Sequence, residues 1–177
     1  MIYLFLADGF EEIEALATVD ILKRAGLEIK TVGVGVKEIT GSHRITVFSD
    51  ITENDVDFNK TEMIILPGGM PGTTNLGESD TVKKAIEFCA NNDKFISAIC
   101  AAPSVLGKYG VLNGKNFTCY PGCETGINGN YTAQKVTVDG KIITGKGPGA
   151  TFDFAFKIVE ILCGTDKVNE LKKSMQC

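Results

Sequence analysis

The sequence predicts an α/β fold with a mostly parallel sheet and helices on both faces. Two observations lead there. Short, nearly unbroken apolar runs at residues 2–7, 63–66 and 95–99 have the character of strands buried on both sides. They alternate along the chain with segments of helical period, the pattern of crossover connections.

In order, residues 2–7 form a strand closed by Asp8-Gly9. Residues 12–25 form a helix, with Ile13, Leu16, Ala17 and Ile21 spaced as one buried stripe and Gly26 as its stop. Residues 28–34 give a second strand, and 37–48 a short strand pair. Residues 63–66 are a central strand ending at Pro67-Gly68-Gly69. A helix over 80–91 turns Val82, Ala85, Ile86 and Cys89 inward, and 95–99 is the neighbouring central strand. Helix 101–109 starts near Pro103. Strands 136–138 and 142–144 are joined by the strong two-residue turn Asp139-Gly140. Helix 150–162 presents Phe152, Ala155, Phe156 and Val159 on one face, and Thr165 caps a last short helix.

The 177 residues suit one domain, 1–177, with 44% hydrophobic and 23% charged residues. The net charge of −4 and the lack of a basic run argue against nucleic acid. No apolar run is long enough for a membrane span, and no secretory leader precedes Asp8, so a cytoplasmic protein is expected. There the six cysteines are thiols, not a disulfide framework. Cys119 and Cys123 lack the further ligands of a zinc site, and the only histidine, His43, lies in a polar turn. No cofactor or metal is expected.

Ligands of such sheets bind beyond the carboxyl ends of the strands. Cys100 stands there, where strand 95–99 gives way to a helix. The helix dipole should favour its thiolate and lower its pKa below the usual ~8.5. Gly68 and Gly69 free backbone amides to meet a developing oxyanion. Glu11, Glu12 and Glu14 crowd a helix start, and Glu14, at the edge of the apolar stripe, can turn into the cleft as a neutral acid beside the thiol. Gly147-Pro148-Gly149 reads as a tight strand-to-helix connection with a minor ligand role.

The segments Asp8-Gly-Phe-Glu-Glu-Ile-Glu14, Leu66-Pro-Gly-Gly69, Ala98-Ile-Cys-Ala-Ala-Pro103 and Gly147-Pro-Gly-Ala-Thr-Phe152 together resemble the ThiJ/PfpI superfamily, in the branch of the human Parkinson-disease protein and bacterial YajL. The resemblance covers almost the whole chain. It implies a flavodoxin-like three-layer sandwich and a homodimer, with Arg24 and Arg44 near the interface and pocket. It makes Cys100 the reactive cysteine on a nucleophile elbow and Glu14 its protonated glutamate, with the amides of Gly69 and Ala101 facing the ligand. Many members carry a histidine near the cysteine in a Thr-His-Pro segment. The matching stretch here is Thr118-Cys119-Tyr120-Pro121, so Tyr120 replaces that base. The expected pocket therefore holds Tyr120, Cys119, Gly68 and Pro148, with Cys119 a resolving thiol for an oxidised Cys100. The implied activity is slow glyoxalase- or deglycase-like chemistry on reactive carbonyls or glycated substrates. The alternatives are redox sensing or stress chaperoning through Cys100 and, less favoured, thiol peptidase or amidase chemistry.

Overall fold

A computed structural model describes residues 1–177. The elements run β1 (Ile2–Leu6), α1 (Glu12–Arg24), β2 (Ile29–Gly33), β3 (Glu38–Thr40), β4 (Thr46–Phe48), β5 (Ile51–Thr52), β6 (Met63–Leu66), α2 (Gly72–Glu78), α3 (Asp80–Asn91), β7 (Phe95–Ile99), α4 (Pro103–Lys108), β8 (Asn116–Phe117), β9 (Asn130–Tyr131), β10 (Val136–Asp139), β11 (Ile142–Gly145), α5 (Thr151–Cys163) and α6 (Thr165–Met175). Seven strands form one sheet in the order β10-β11-β7-β6-β1-β2-β5. Only β10–β11 pairs antiparallel, through the Asp139-Gly140 turn.

Because β1 and β6 are apolar at every position, their alternate side chains feed two separate cores. Leu4, Leu6 and Ile65 pack under α1, α5 and α6. Tyr3, Phe5, Ile64 and Leu66 pack under α2, α3 and α4. This is the three-layer, flavodoxin-like sandwich expected. Fully burying each such Leu, Ile or Phe stabilises by roughly 1.5–3 kcal/mol. The polar strand ends are what the core does not explain.

Two helical faces differ from the expected ones. On α1 the buried side chains are Glu12, Glu14, Ala15, Thr18, Val19, Ile21 and Leu22, whereas Ile13 is 53% and Leu16 36% exposed. A second apolar stripe therefore looks outward. On α5, Phe154, Ala155, Ile158 and Val159 face the sheet, and Phe152 is largely exposed. No apolar period marked α2. Its sequence Gly-Thr-Thr-Asn-Leu-Gly-Glu holds poor helix formers, and packing against α3 and α4 holds it.

Candidate active site

The β6 and β7 strands pair in parallel and end side by side, and the chain leaves each through a special turn. After β7, Cys100 takes φ +64°, a left-handed conformation that costs an ordinary residue about 1–3 kcal/mol. It is held there by its amide, which donates to Gly145 O at 2.9 Å, and by its carbonyl, which accepts from the Tyr120 amide at 2.7 Å. The elbow lifts the sulfur above the sheet.

Glu14 reaches the same place from α1. Glu11 caps that helix by accepting from the Glu14 amide at 2.8 Å, which starts the helix so that Glu14 projects over the strand ends. Glu14 is 1% exposed. Its Oε2 accepts from the Gly68 amide at 2.7 Å. Its carboxyl faces the Cys100 thiol, and its Oε1 has no hydrogen-bond partner. Gly68 is required by this closeness, since a Cβ would stand 2.6 Å from Cys100 Cβ and 2.8 Å from Glu14 Oε2. At Gly69, φ is +89° and a Cβ would overlap the Glu11 amide.

Burial pushes the Glu14 carboxyl up to about 7, against hydrogen bonds to Cys100 and Gly68 that favour its charged form, and the nearby Glu11 charge adds to the rise. The dipole-lowered Cys100 expected from the sequence is not what the geometry gives. Burial raises the thiol pKa well above its ordinary value, the ionised Glu14 raises it further, and the amides of Ala101 and Gly69 only partly oppose them. The following helix, α4, is six residues long and begins three residues on, so its dipole is short and offset. The proton on Glu14 is the lever. Once Glu14 holds it, the repelling charge is gone and an O–H donor faces the sulfur. The protonation state of Glu14 therefore sets how readily Cys100 ionises.

The other expected pocket residues divide. Gly68, Gly69 and Ala101 surround the sulfur. Tyr120 touches the elbow through its backbone, but the residue is 52% exposed and its ring lies over Gly147. It lines a shallow depression of about 350 Å³ with Lys135 and Lys146. Pro148 does not line that depression; its carbonyl accepts the Thr151 hydroxyl at 2.8 Å. Cys119 is turned away. Cys100 belongs to the α1/α5 core and Cys119 to the α2–α4 core, so the two lie on opposite faces of the sheet. The Cys119 thiol points to Glu124, which overturns the expectation of a resolving thiol for Cys100.

A groove of about 420 Å³ opens beside Ala101, walled by Met70, Thr73, Ser104, Lys108 and Cys123. The largest cavity, about 660 Å³, lies at the other end of β7, around Lys94, Phe95 and Lys141. His43 is not simply solvated. Its Nδ1 lies 2.8 Å from Glu12 Oε2, and that hydrogen bond raises its pKa. Donor atoms of Glu11, Glu12 and His43 lie within 4.8 Å of one another, the one place in the molecule where three ligand groups gather.

A strained cysteine thus lies between the amides of Gly69 and Ala101 and a buried carboxyl. The DJ-1/PfpI family profile matches residues 1–161. The chain belongs to the DJ-1/PfpI family. Protein dj-1beta of Drosophila melanogaster is 37% identical over 174 residues, covering 96% of this chain and 93% of the relative. The Caenorhabditis elegans protein named glutathione-independent glyoxalase DJR-1.2 is 33% identical, covering 93% of this chain and 89% of the relative. The crystal structure of Drosophila DJ-1beta superposes with a TM-score of 0.94 at 35% identity, covering 99% of this chain and 96% of that one. This DJ-1/PfpI chain thus has the fold the resemblance implied, and no helix in it is long and apolar enough to cross a membrane.

Proposed function

We propose that this protein is a cysteine-dependent enzyme acting on small reactive carbonyls such as methylglyoxal, with Cys100 as nucleophile and Glu14 as the only proton carrier. The observation that carries the reading is a carboxyl poised near pH 7 and buried against a nucleophile elbow. Such a group is half protonated at neutral pH and serves as acid and base in turn. The name of the C. elegans relative supports a carbonyl substrate.

As the Cys100 sulfur bonds to the aldehyde carbon, ionised Glu14 takes the thiol proton and passes it to the new alkoxide, giving a hemithioacetal. Ionised Glu14 then removes the hydrogen from that carbon and returns it to the adjacent ketone carbon through an enediol. The product is a 2-hydroxy thioester on Cys100. Water hydrolyses the thioester, the C–S bond breaks, and lactate leaves as the thiol re-forms. Across both steps the amides of Gly69 and Ala101 face the oxyanion, where one donor is worth roughly 10²–10³ in rate. With Tyr120 turned outward, no second base assists, and slow turnover follows. Glycated adducts that present a similar carbonyl would enter by the same addition.

The enzyme is proposed to work as a homodimer. Ile13 and Leu16 on α1 and Ile45 and Phe48 on the β3–β4 hairpin are large, apolar and exposed. Glu12 ties the two elements together through the His43 amide at 2.7 Å. A second copy would cover this face. Leu16→Asp and Phe48→Asp are expected to yield monomers by sedimentation, and dimers in both variants would refute the assignment. Arg24 is bound to Asp20 of its own helix at 2.6 Å.

The experiment for the activity measures lactate formed from methylglyoxal by wild type and by Cys100→Ser. Catalytic lactate lost in the variant supports the reading. A second reading, redox sensing, has support from the same two amides, which would hold the oxygens of an oxidised Cys100. Absent lactate, with two oxygens gained on Cys100 under peroxide, would favour it instead.

A further inference from the structure

The Cys119–Glu124 loop is unused by the carbonyl chemistry. Cys119 follows β8 and is fully buried, its Sγ donating to Glu124 Oε2 at 3.9 Å. The chain then reverses. The Cys123 amide donates to Tyr120 O at 2.9 Å, and Gly122 at φ +98° makes the left-handed bend. The Gly122 amide donates to the same Glu124 Oε2 at 2.6 Å. Cys123 is half-buried and lines the 420 Å³ groove beside Ala101. One carboxylate oxygen thus anchors a turn with a buried thiol on one side and an accessible thiol on the other. The two thiols are electrical neighbours. Burial first, then the charges of Cys123 and Glu124, push Cys119 up to about 12. The Tyr131 hydroxyl is raised by burial and then by Cys119, Glu124 and Cys123 together.

We propose that Cys119 and Cys123 form a second redox site, a dithiol that closes to a disulfide under a hydroperoxide, separate from Cys100. Cys123, reachable from the groove, is oxidised first. Its sulfur attacks the peroxide, the O–O bond breaks, and a sulfenic acid and water form when the oxidant is hydrogen peroxide. Cys119 then attacks that sulfur while its proton passes to Glu124. The S–S bond forms, the S–O bond breaks, and hydroxide leaves with the proton as a second water. Two thiols lose two hydrogens and the peroxide is reduced. The turn runs from Tyr120 to Cys123 with Cys119 the residue just before it, and a disulfide needs Cα atoms ~4.4–6.8 Å apart. Closure therefore asks this loop, exposed at Tyr120, Pro121 and Gly122, to bring Cys119 and Cys123 side by side. Tyr120 lies inside the closed ring and its amide holds the Cys100 carbonyl, so the disulfide bears directly on the elbow.

The test treats the whole protein with hydrogen peroxide, blocks free thiols with N-ethylmaleimide and weighs two tryptic fragments. Fragment 116–135 holds Cys119 and Cys123 and no other cysteine, and fragment 95–108 holds Cys100. Fragment 116–135 should lose two hydrogens, take no maleimide and regain both thiols with dithiothreitol, in wild type and in Cys100→Ser alike. In Cys123→Ser, with an unchanged thermal melt, Cys119 should remain a free, labelled thiol. Two maleimides on 116–135 at a dose that oxidises Cys100 would overturn the proposal. So would a cross-link between the two fragments.

Discussion

Cys100 and Cys89 are both buried thiols at the sheet, and both are driven up by burial. Cys89 sits on the inward face of α3, where burial pushes it to about 12 against the opposing charge of Lys94. The Glu62 charge adds to the rise but no carboxyl hydrogen-bonds the thiol, and its backbone is ordinary helix. Cys100 has a left-handed backbone, two amides and the Glu14 carboxyl. The difference teaches that burial alone makes a thiol inert. Reactivity comes from a backbone that aims the sulfur and a neighbour that can hold its proton.

The largest effect that sharpens this contrast is on turnover. Cys100→Ser should reduce lactate formation to the uncatalysed background, while Cys89→Ser should leave it within about twofold, since its cost falls on stability at roughly 1–3 kcal/mol for an ill-partnered buried hydroxyl. Parallel rate and denaturation measurements on the two variants check both halves. Next, Glu14→Gln keeps the shape and the Gly68 hydrogen bond but cannot carry a proton. It should lower turnover by about 10²–10⁴.

The same carboxyl gives a pH signature. The folded-state pKa of Glu14, about 7, lies above its ordinary 4.5. The neutral form is therefore favoured by the fold. Its contribution is complete below pH 4.5 and is lost as pH rises through 7, a change of about 3 kcal/mol. Urea unfolding of wild type against Glu14→Gln between pH 4.5 and 8 should show the variant gaining relative stability as pH rises. A constant difference would contradict the burial argument. The smallest effect is steric. Gly68→Ala places a methyl against Cys100 and Glu14 and should destabilise by about 1–3 kcal/mol while lowering turnover. An equally stable, equally active variant would mean the pair tolerates separation.

Much of this was readable before the fold. Apolar runs marked β1, β6 and β7 because strands buried on both faces carry no polar alternation. Cys100 and Glu14 stood out by position, at a strand end and a helix start. The misreadings share a cause. Helical period shows that Ile13, Leu16 and Phe152 form stripes, but not what covers them. Likewise residues 118–123 have no period, so nothing in the sequence told which face of the sheet receives Cys119 or that the Tyr120 ring turns out. For Cys100 the strand-to-helix junction suggests only a dipole, whereas the balance also depends on burial and on a carboxyl 86 positions away in the chain.

The most direct test of the central claim is the protonation of Glu14 itself. A ¹³C NMR titration of the Glu14 side-chain carboxyl in the whole protein should show a midpoint near pH 7. A midpoint in the ordinary carboxylate range near 4.5 would leave Cys100 facing a fixed negative charge, and the role of Glu14 as proton carrier would fall with it.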